Sequence, residues 1–124
     1  MTQKPETTAL SDDLTISRVL TGLWQVADME KEGRTLDPEA SADDLAAYVA
    51  DGFTTFDMAD HYGSAELITG ALLKRFEPGA ARPVAFTKWC PEPGPMTRDI
   101  VRAGVDERRA RLGVERVDLL QFHW

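Results

Sequence analysis

Four short apolar runs alternate with three stretches of helical character, and that order constrains the fold more than any other feature of the chain. The apolar runs are 14–24, 53–56, 84–87 and 117–122. Leu14 to Trp24 is β-branched and apolar, which suits a strand or a short hairpin followed by a strand. Between the runs the period changes. Ser41 can cap a helix over Ala42–Asp51, with Asp43 and Asp44 in its first turn and Gly52 as its stop. Ser64 opens a second helix, in which Ile68 and Leu72 share a face, and Pro78-Gly79 breaks it. Thr97 can cap a third, with Val101, Val105 and Leu112 as its apolar stripe and Gly113 as its end. Prolines 91, 93 and 95 keep the segment before it out of a helix.

Strands alternating with helices of this length imply a parallel sheet with right-handed crossovers. Doubly wound sheets and (β/α)8 barrels both fit. No Gly-x-Gly-x-x-Gly follows the first strand, so the dinucleotide fingerprint of the doubly wound sheet is missing. Asp57, Lys88 and His123 each stand at the C-terminal end of an apolar run, the face on which barrels carry their chemistry. A closed barrel takes roughly 250 residues, and this chain has 124. The expected fold is therefore an α/β half-barrel, the first four βα units of a (β/α)8 TIM barrel. Such an arc has two open edges and needs cover on both faces, which implies a longer parent, self-association or low stability. Residues 1–12 are polar and aperiodic and read as a disordered tail, leaving 13–124 as the half-barrel domain. Gln25 to Ala40 is longer than an ordinary βα connection and reads as a functional or a loose loop.

Composition narrows the partners. A formal charge of -7 without a basic cluster argues against nucleic acid and against an anionic membrane surface. No apolar run approaches the roughly 18 residues of a spanning helix. The N-terminus lacks the apolar core of a secretory signal, and the single Cys90 can form no internal disulfide. A cytoplasmic protein is expected. Cys90 has no thiol-activating neighbours and reads as a bystander.

The segment Gly52–Gly70, GFTTFDMADHYGSAELITG, carries the chemistry, together with FTKW around Lys88 and QFHW around His123. Reducing a carbonyl at neutral pH requires a proton at the oxygen as negative charge grows there. A phenol can supply it when an ammonium stabilises its phenolate, a carboxylate can hold that ammonium, and an imidazole can orient the carbonyl. These segments resemble the signature of the aldo-keto reductases, NAD(P)H-dependent oxidoreductases on a (β/α)8 barrel. The resemblance covers nearly all of the chain after the first dozen residues, with Glu66 and Gly70 matching the signature around the second helix. It implies a catalytic set of Asp57, Tyr62, Lys88 and His123. Tyr62 would be the general acid and base, Lys88 would favour its phenolate, Asp57 would anchor Lys88, and His123 would orient the substrate. Gly22, Leu23, Trp24 and Asp57 would meet the nicotinamide, and Trp24, Trp89, Tyr62 and His123 would line the substrate pocket.

By the same resemblance the protein would reduce small aldehydes and ketones with NADP(H), NAD(H) being the alternative cofactor. The family's remaining cofactor contacts come from strands five to eight, so the 124 residues are expected to be incomplete for catalysis alone. A non-catalytic cofactor-binding sensor or subunit of the same fold is the second reading, and an inactive truncated product the third. Trp24, Trp89 and Trp124 could equally fill a barrel rim. Asp57, Asp60 and His61 make a thin metal set with no matching ligand from another strand, and no metal is expected.

Overall fold

The computed structural model of the chain describes residues 3–25, 36–79 and 81–123. Its elements are β1 (Thr7–Ser11), β2 (Leu14–Ser17), β3 (Thr21–Gly22), α1 (Pro38–Ala50), β4 (Thr55–Asp57), α2 (Ala65–Leu73), β5 (Val84–Trp89), α3 (Arg98–Leu112) and β6 (Leu119–Phe122). β3, β4, β5 and β6 form one sheet in that spatial order, each pair parallel. A doubly wound sheet reverses its strand order at a switch point, and no reversal occurs here. Right-handed crossovers that advance in one direction leave every helix on the same side. Accordingly α1 packs on α2, and α2 packs on α3.

The N-terminal segment departs from the expected tail. Thr7–Ser11 pairs antiparallel with Leu14–Ser17, Thr8 opposite Ile16, to make a hairpin separate from the parallel sheet. Every side chain of β1 is exposed, so it has no apolar alternation to read. Its order comes from the backbone ladder, extended where Arg18 N–H donates to the Glu6 carbonyl at 2.8 Å. The stretch Gln25–Ala40 resolves into two parts: residues 26–35 lie outside the described residues, and the rest leads into α1.

That helix begins four residues before the expected start. Asp37 is its N-cap and accepts from the Glu39 N–H at 3.1 Å, while Pro38 occupies the first turn. Proline there loses no helical hydrogen bond and arrives with a helical φ, so Asp37-Pro38 outcompetes Ser41. Asp43 and Asp44 therefore fall past the first turn, and α2 ends at Leu73, before Pro78-Gly79, whereas Gly52, Gly113 and Thr97 act as expected. Gly52 follows the C-cap of α1 with φ +94°, and Gly113 caps α3 in the left-handed conformation, at φ +66°. Thr97 caps α3 by accepting from Ile100 N–H.

The core lies between sheet and helices. Phe56, Met58, Ile68, Leu72 and Leu23 are fully excluded from solvent, joined by Leu45, Ala85 and Leu112. The face of α3 turned inward is the expected one only in part: Leu112 is buried as expected, together with Gly104 and Arg108, whereas Val101 is 39% exposed. The cause is Trp89, whose indole would stand 2.4 Å from a Cβ at position 104, so only glycine admits it. Beneath α2, the fully buried Glu66 accepts from Thr87 Oγ1 at 2.6 Å and Arg111 Nε at 2.7 Å, and pairs with Arg108 Nε at 2.9 Å. One carboxylate therefore ties α2, β5 and α3 together. At the opposite end of the sheet Asp118 accepts from the Ala85 N–H and pairs with Arg82, fixing how β6 enters beside β5.

Candidate active site at the strand ends

Pleating decides which side chains reach the helix-free face. Successive residues of a strand point to opposite faces, and partners in a parallel register share one. Gly22 is level with Asp57, Asp57 with Phe86, and Lys88 with Gln121, so these residues share the helix-free face. Trp89 is one residue further along and turns the other way, against Gly104 of α3 and edge-on to Phe122. At 8% exposure it belongs to the helix layer, which corrects its expected place in a substrate pocket.

Backbone hydrogen bonds run past the strand ends into the loops that carry the site. Leu23 N–H donates to Asp57 O, Met58 N–H to Phe86 O, Asp60 N–H to Lys88 O, and His123 N–H to Trp89 O, at 2.8–2.9 Å. Leu23 itself is fully buried in the core, so its side chain cannot meet a ligand as expected, and only its backbone borders the rim. Gly22 differs: a Cβ built there meets nothing within 4 Å among the described residues.

On this frame Lys88 Nζ donates to Asp57 Oδ2 at 2.8 Å and to the Met58 carbonyl at 2.9 Å. The lysine side chain is 14% exposed and the aspartate 31%, a pair at the edge of solvent rather than sealed from it. The same ammonium lies 5.3 Å from the centroid of the Tyr62 ring, within cation–π range. Trp24 meets Tyr62 edge-on with centroids 4.9 Å apart, and His61 meets it edge-on at 5.0 Å. His61 in turn stacks on His123, centroids 5.8 Å apart and planes 6° from parallel. Four residues from three strand ends (Asp57, Tyr62, Lys88 and His123) thus gather at one mouth, with Trp24 beside them.

Asp60 and His61 do not converge with Asp57 on a common point. Asp57 is engaged by Lys88, whereas Asp60 bonds His61 Nδ1 at 2.9 Å through Oδ1 and accepts from Cys90 N–H at 2.8 Å through Oδ2. Arg108 stands 3.7 Å from that second oxygen. Among the described residues no group of three or more His, Cys, Asp or Glu side chains is placed to hold a metal ion. Burial, and then the carboxylates of Asp60 and Glu92, push the Cys90 thiol above its ordinary range. Trp124 lies outside the described residues.

The partners of Asp60 and Arg108 escape sequence reasoning. Asp60 meets Cys90 thirty residues on and Arg108 meets Glu66 forty-two residues back, separations with no local spacing rule to betray them.

Residues 18–124 match the family described as the Aldo/keto reductase family. A 6-dehydroglucose reductase of Agrobacterium fabrum is 31% identical over 130 residues, spanning 93% of this chain and 42% of that protein. A thermostable aldo-keto reductase solved with the inhibitor epalrestat superposes with TM-score 0.72 at 23% identity, over 96% of this chain and 43% of its own. An aldo-keto reductase of Bombyx mori in complex with NADP superposes with TM-score 0.67 at 17% identity, over 98% of this chain and 39% of its own. The chain spans less than half the length of each of these relatives. The fold they share is the (β/α)8 barrel, and β3–β6 with their helices are an arc of it.

Proposed function

The chain belongs to the aldo/keto reductase family, and from that premise we propose that it carries the proton-handling half of an NAD(P)H-dependent carbonyl reductase. The observation that carries the reading is the ammonium of Lys88, held 2.8 Å from Asp57 and 5.3 Å from the Tyr62 ring centroid. NAD(P)H, when bound, would supply a hydride to the carbonyl carbon. Tyr62 then gives its phenolic proton to the oxygen as the C=O π pair becomes a lone pair there, and an alcohol leaves. Lys88 favours the phenolate that remains, and Asp57 fixes the ammonium by accepting its hydrogen bond. His123 faces the same mouth and orients the carbonyl oxygen. Run backwards, the phenolate takes the proton of an alcohol.

A flat nicotinamide ring would lie beside this group. Among the described residues none comes within 4 Å of a Cβ built at Gly22, and Gly22 is level with Asp57. Gly22 and Trp24 would border the ring, with Asp57 at its side. The relatives supply substrate classes to try: aldehydes and ketones in general, and an oxidised hexose by analogy with the Agrobacterium fabrum enzyme. Charge supports small molecules as partners, since the -7 balance offers no anionic polymer a docking field. Among the described residues no helix is long and apolar enough to cross a membrane.

The test is a titration of the purified chain with NADPH and with NADH, followed by nicotinamide fluorescence, then turnover of simple aldehydes. Saturable binding with turnover is the expected result for a protein that contains a complete site. Saturable binding with no turnover by a protein that carries the whole barrel would overturn the catalytic reading and leave a cofactor-binding module.

A further inference from the structure

The Asp60–His61 pair takes no part in the chemistry above, although it stands inside the mouth. We propose that His61, anchored by Asp60, is a positioning residue that sets the plane of the His123 imidazole. This inference rests on the functional reading of Tyr62 and His123. His61 touches both of those rings: edge-on to Tyr62 at 5.0 Å and stacked on His123 at 5.8 Å with planes only 6° apart. Near-parallel stacking constrains ring tilt, and edge-to-face contact constrains where the stack sits.

The anchor is built from several elements. Asp60 Oδ1 bonds His61 Nδ1 at 2.9 Å, and its other oxygen accepts the Cys90 N–H at 2.8 Å just past β5. Asp60 N–H is itself held by the Lys88 carbonyl at 2.9 Å, and Arg108 of α3 lies 3.7 Å from the carboxylate. At 14% side-chain exposure Asp60 is a fixed post, whereas His61, at 31%, reaches from it toward the opening. A carboxylate oxygen can only accept, so Nδ1 carries the hydrogen of this bond and the ring hangs from the post by that edge. His123 sits one residue beyond β6, and its backbone N–H donates to the Trp89 carbonyl of β5. The stack on His61 bears directly on how its ring is turned. Orientation matters because a misplaced donor loses most of its value to a developing oxyanion.

Three variants test the idea: His61→Ala, which removes the wall; His61→Phe, which restores a flat ring without the Asp60 bond; and Tyr62→Phe, as the chemical control. The ring resonances of His123, read by NMR on the labelled chain, should shift and broaden in His61→Ala and return toward wild type in His61→Phe. In steady-state assays His61→Ala should lower kcat by about tenfold or more with nucleotide affinity unchanged, and His61→Phe should recover most of that loss. An unchanged His123 spectrum in His61→Ala overturns the proposal, as does a Phe variant no better than Ala in either readout. The NMR arm needs no turnover. A wild-type protein that reduces no carbonyl would therefore sink the functional reading while the His123 spectra still judge the positioning role.

Discussion

At the scale of single residues, the pleat of β5 separates two neighbours with opposite fates. Lys88 enters the mouth and Trp89 enters the helix layer, 2.4 Å from where a Cβ of residue 104 would be. Tyr62→Phe removes only an oxygen from a ring whose contacts with Trp24 and His61 are through its faces and edges. The variant is expected to bind nucleotide as well as wild type while carbonyl reduction falls by about 10²–10⁴-fold, the range for losing a general acid. Equal loss of binding and turnover would remove Tyr62 as proton donor. Cys90 makes a pH-dependent prediction. Its thiol is pushed up, so the reactive thiolate is scarcer in the fold than in the unfolded chain at the same pH. Alkylation by iodoacetamide should accelerate at a higher pH in the native protein than in urea. The converse order would mean the thiol is activated, not suppressed. Asp57, Lys88 and His123 were legible because each directly follows an apolar run, whereas Tyr62, in the loop five residues past Asp57, was singled out through the family resemblance. Asp60 was legible only as one acid of a turn, since its partners Cys90 and Arg108 come from elsewhere in the chain.

At the scale of elements, the helix ends were readable and the helix faces were not always so. Thr97, Gly52 and Gly113 act as their chemistry demands, because capping is a local matter settled within a few residues. The inward face of α3 is instead chosen by Trp89 and Glu66, which belong to β5 and α2, so Val101 stays at the surface. The start of α1 was misplaced for a different reason. Two competent caps lie four residues apart, and the fixed φ of Pro38 decides between them. Glu66 gives the element-scale prediction. It is fully buried and answers both Arg108, itself 3% exposed, and Arg111. Glu66→Gln removes the nearest and most buried counter-charge of Arg108, leaving it Glu107 at 3.1 Å and Asp60 at 3.7 Å, and should cost up to about 3–5 kcal/mol. The midpoint of urea unfolding should fall at constant slope. A shift within about 0.5 kcal/mol, the size of an ordinary surface substitution, would show that the network is solvated in solution.

At the scale of the whole molecule, the repeated strand-then-helix order made the class of fold readable, and the run of consecutive parallel neighbours completes it as an arc of a barrel. The hairpin of β1 and β2 was unreadable, since a strand whose side chains are all exposed leaves no mark on hydropathy. One feature of the sheet bears on how the protein opens. The hydrogen-bond ladder does not stop where the strands stop, for Leu23, Met58, Asp60 and His123 all donate across to the neighbouring strand end. Residues in loops ordinarily exchange their amide protons with water through small local openings. These four should instead be protected to the level of the core, releasing deuterium only when the sheet itself comes apart. Exchange followed by NMR or mass spectrometry checks this, and rapid exchange at Asp60 or Met58 would contradict it. The chemistry would then be carried by the last part of the molecule to unfold, with no partly open form in which the sheet persists and the site is lost.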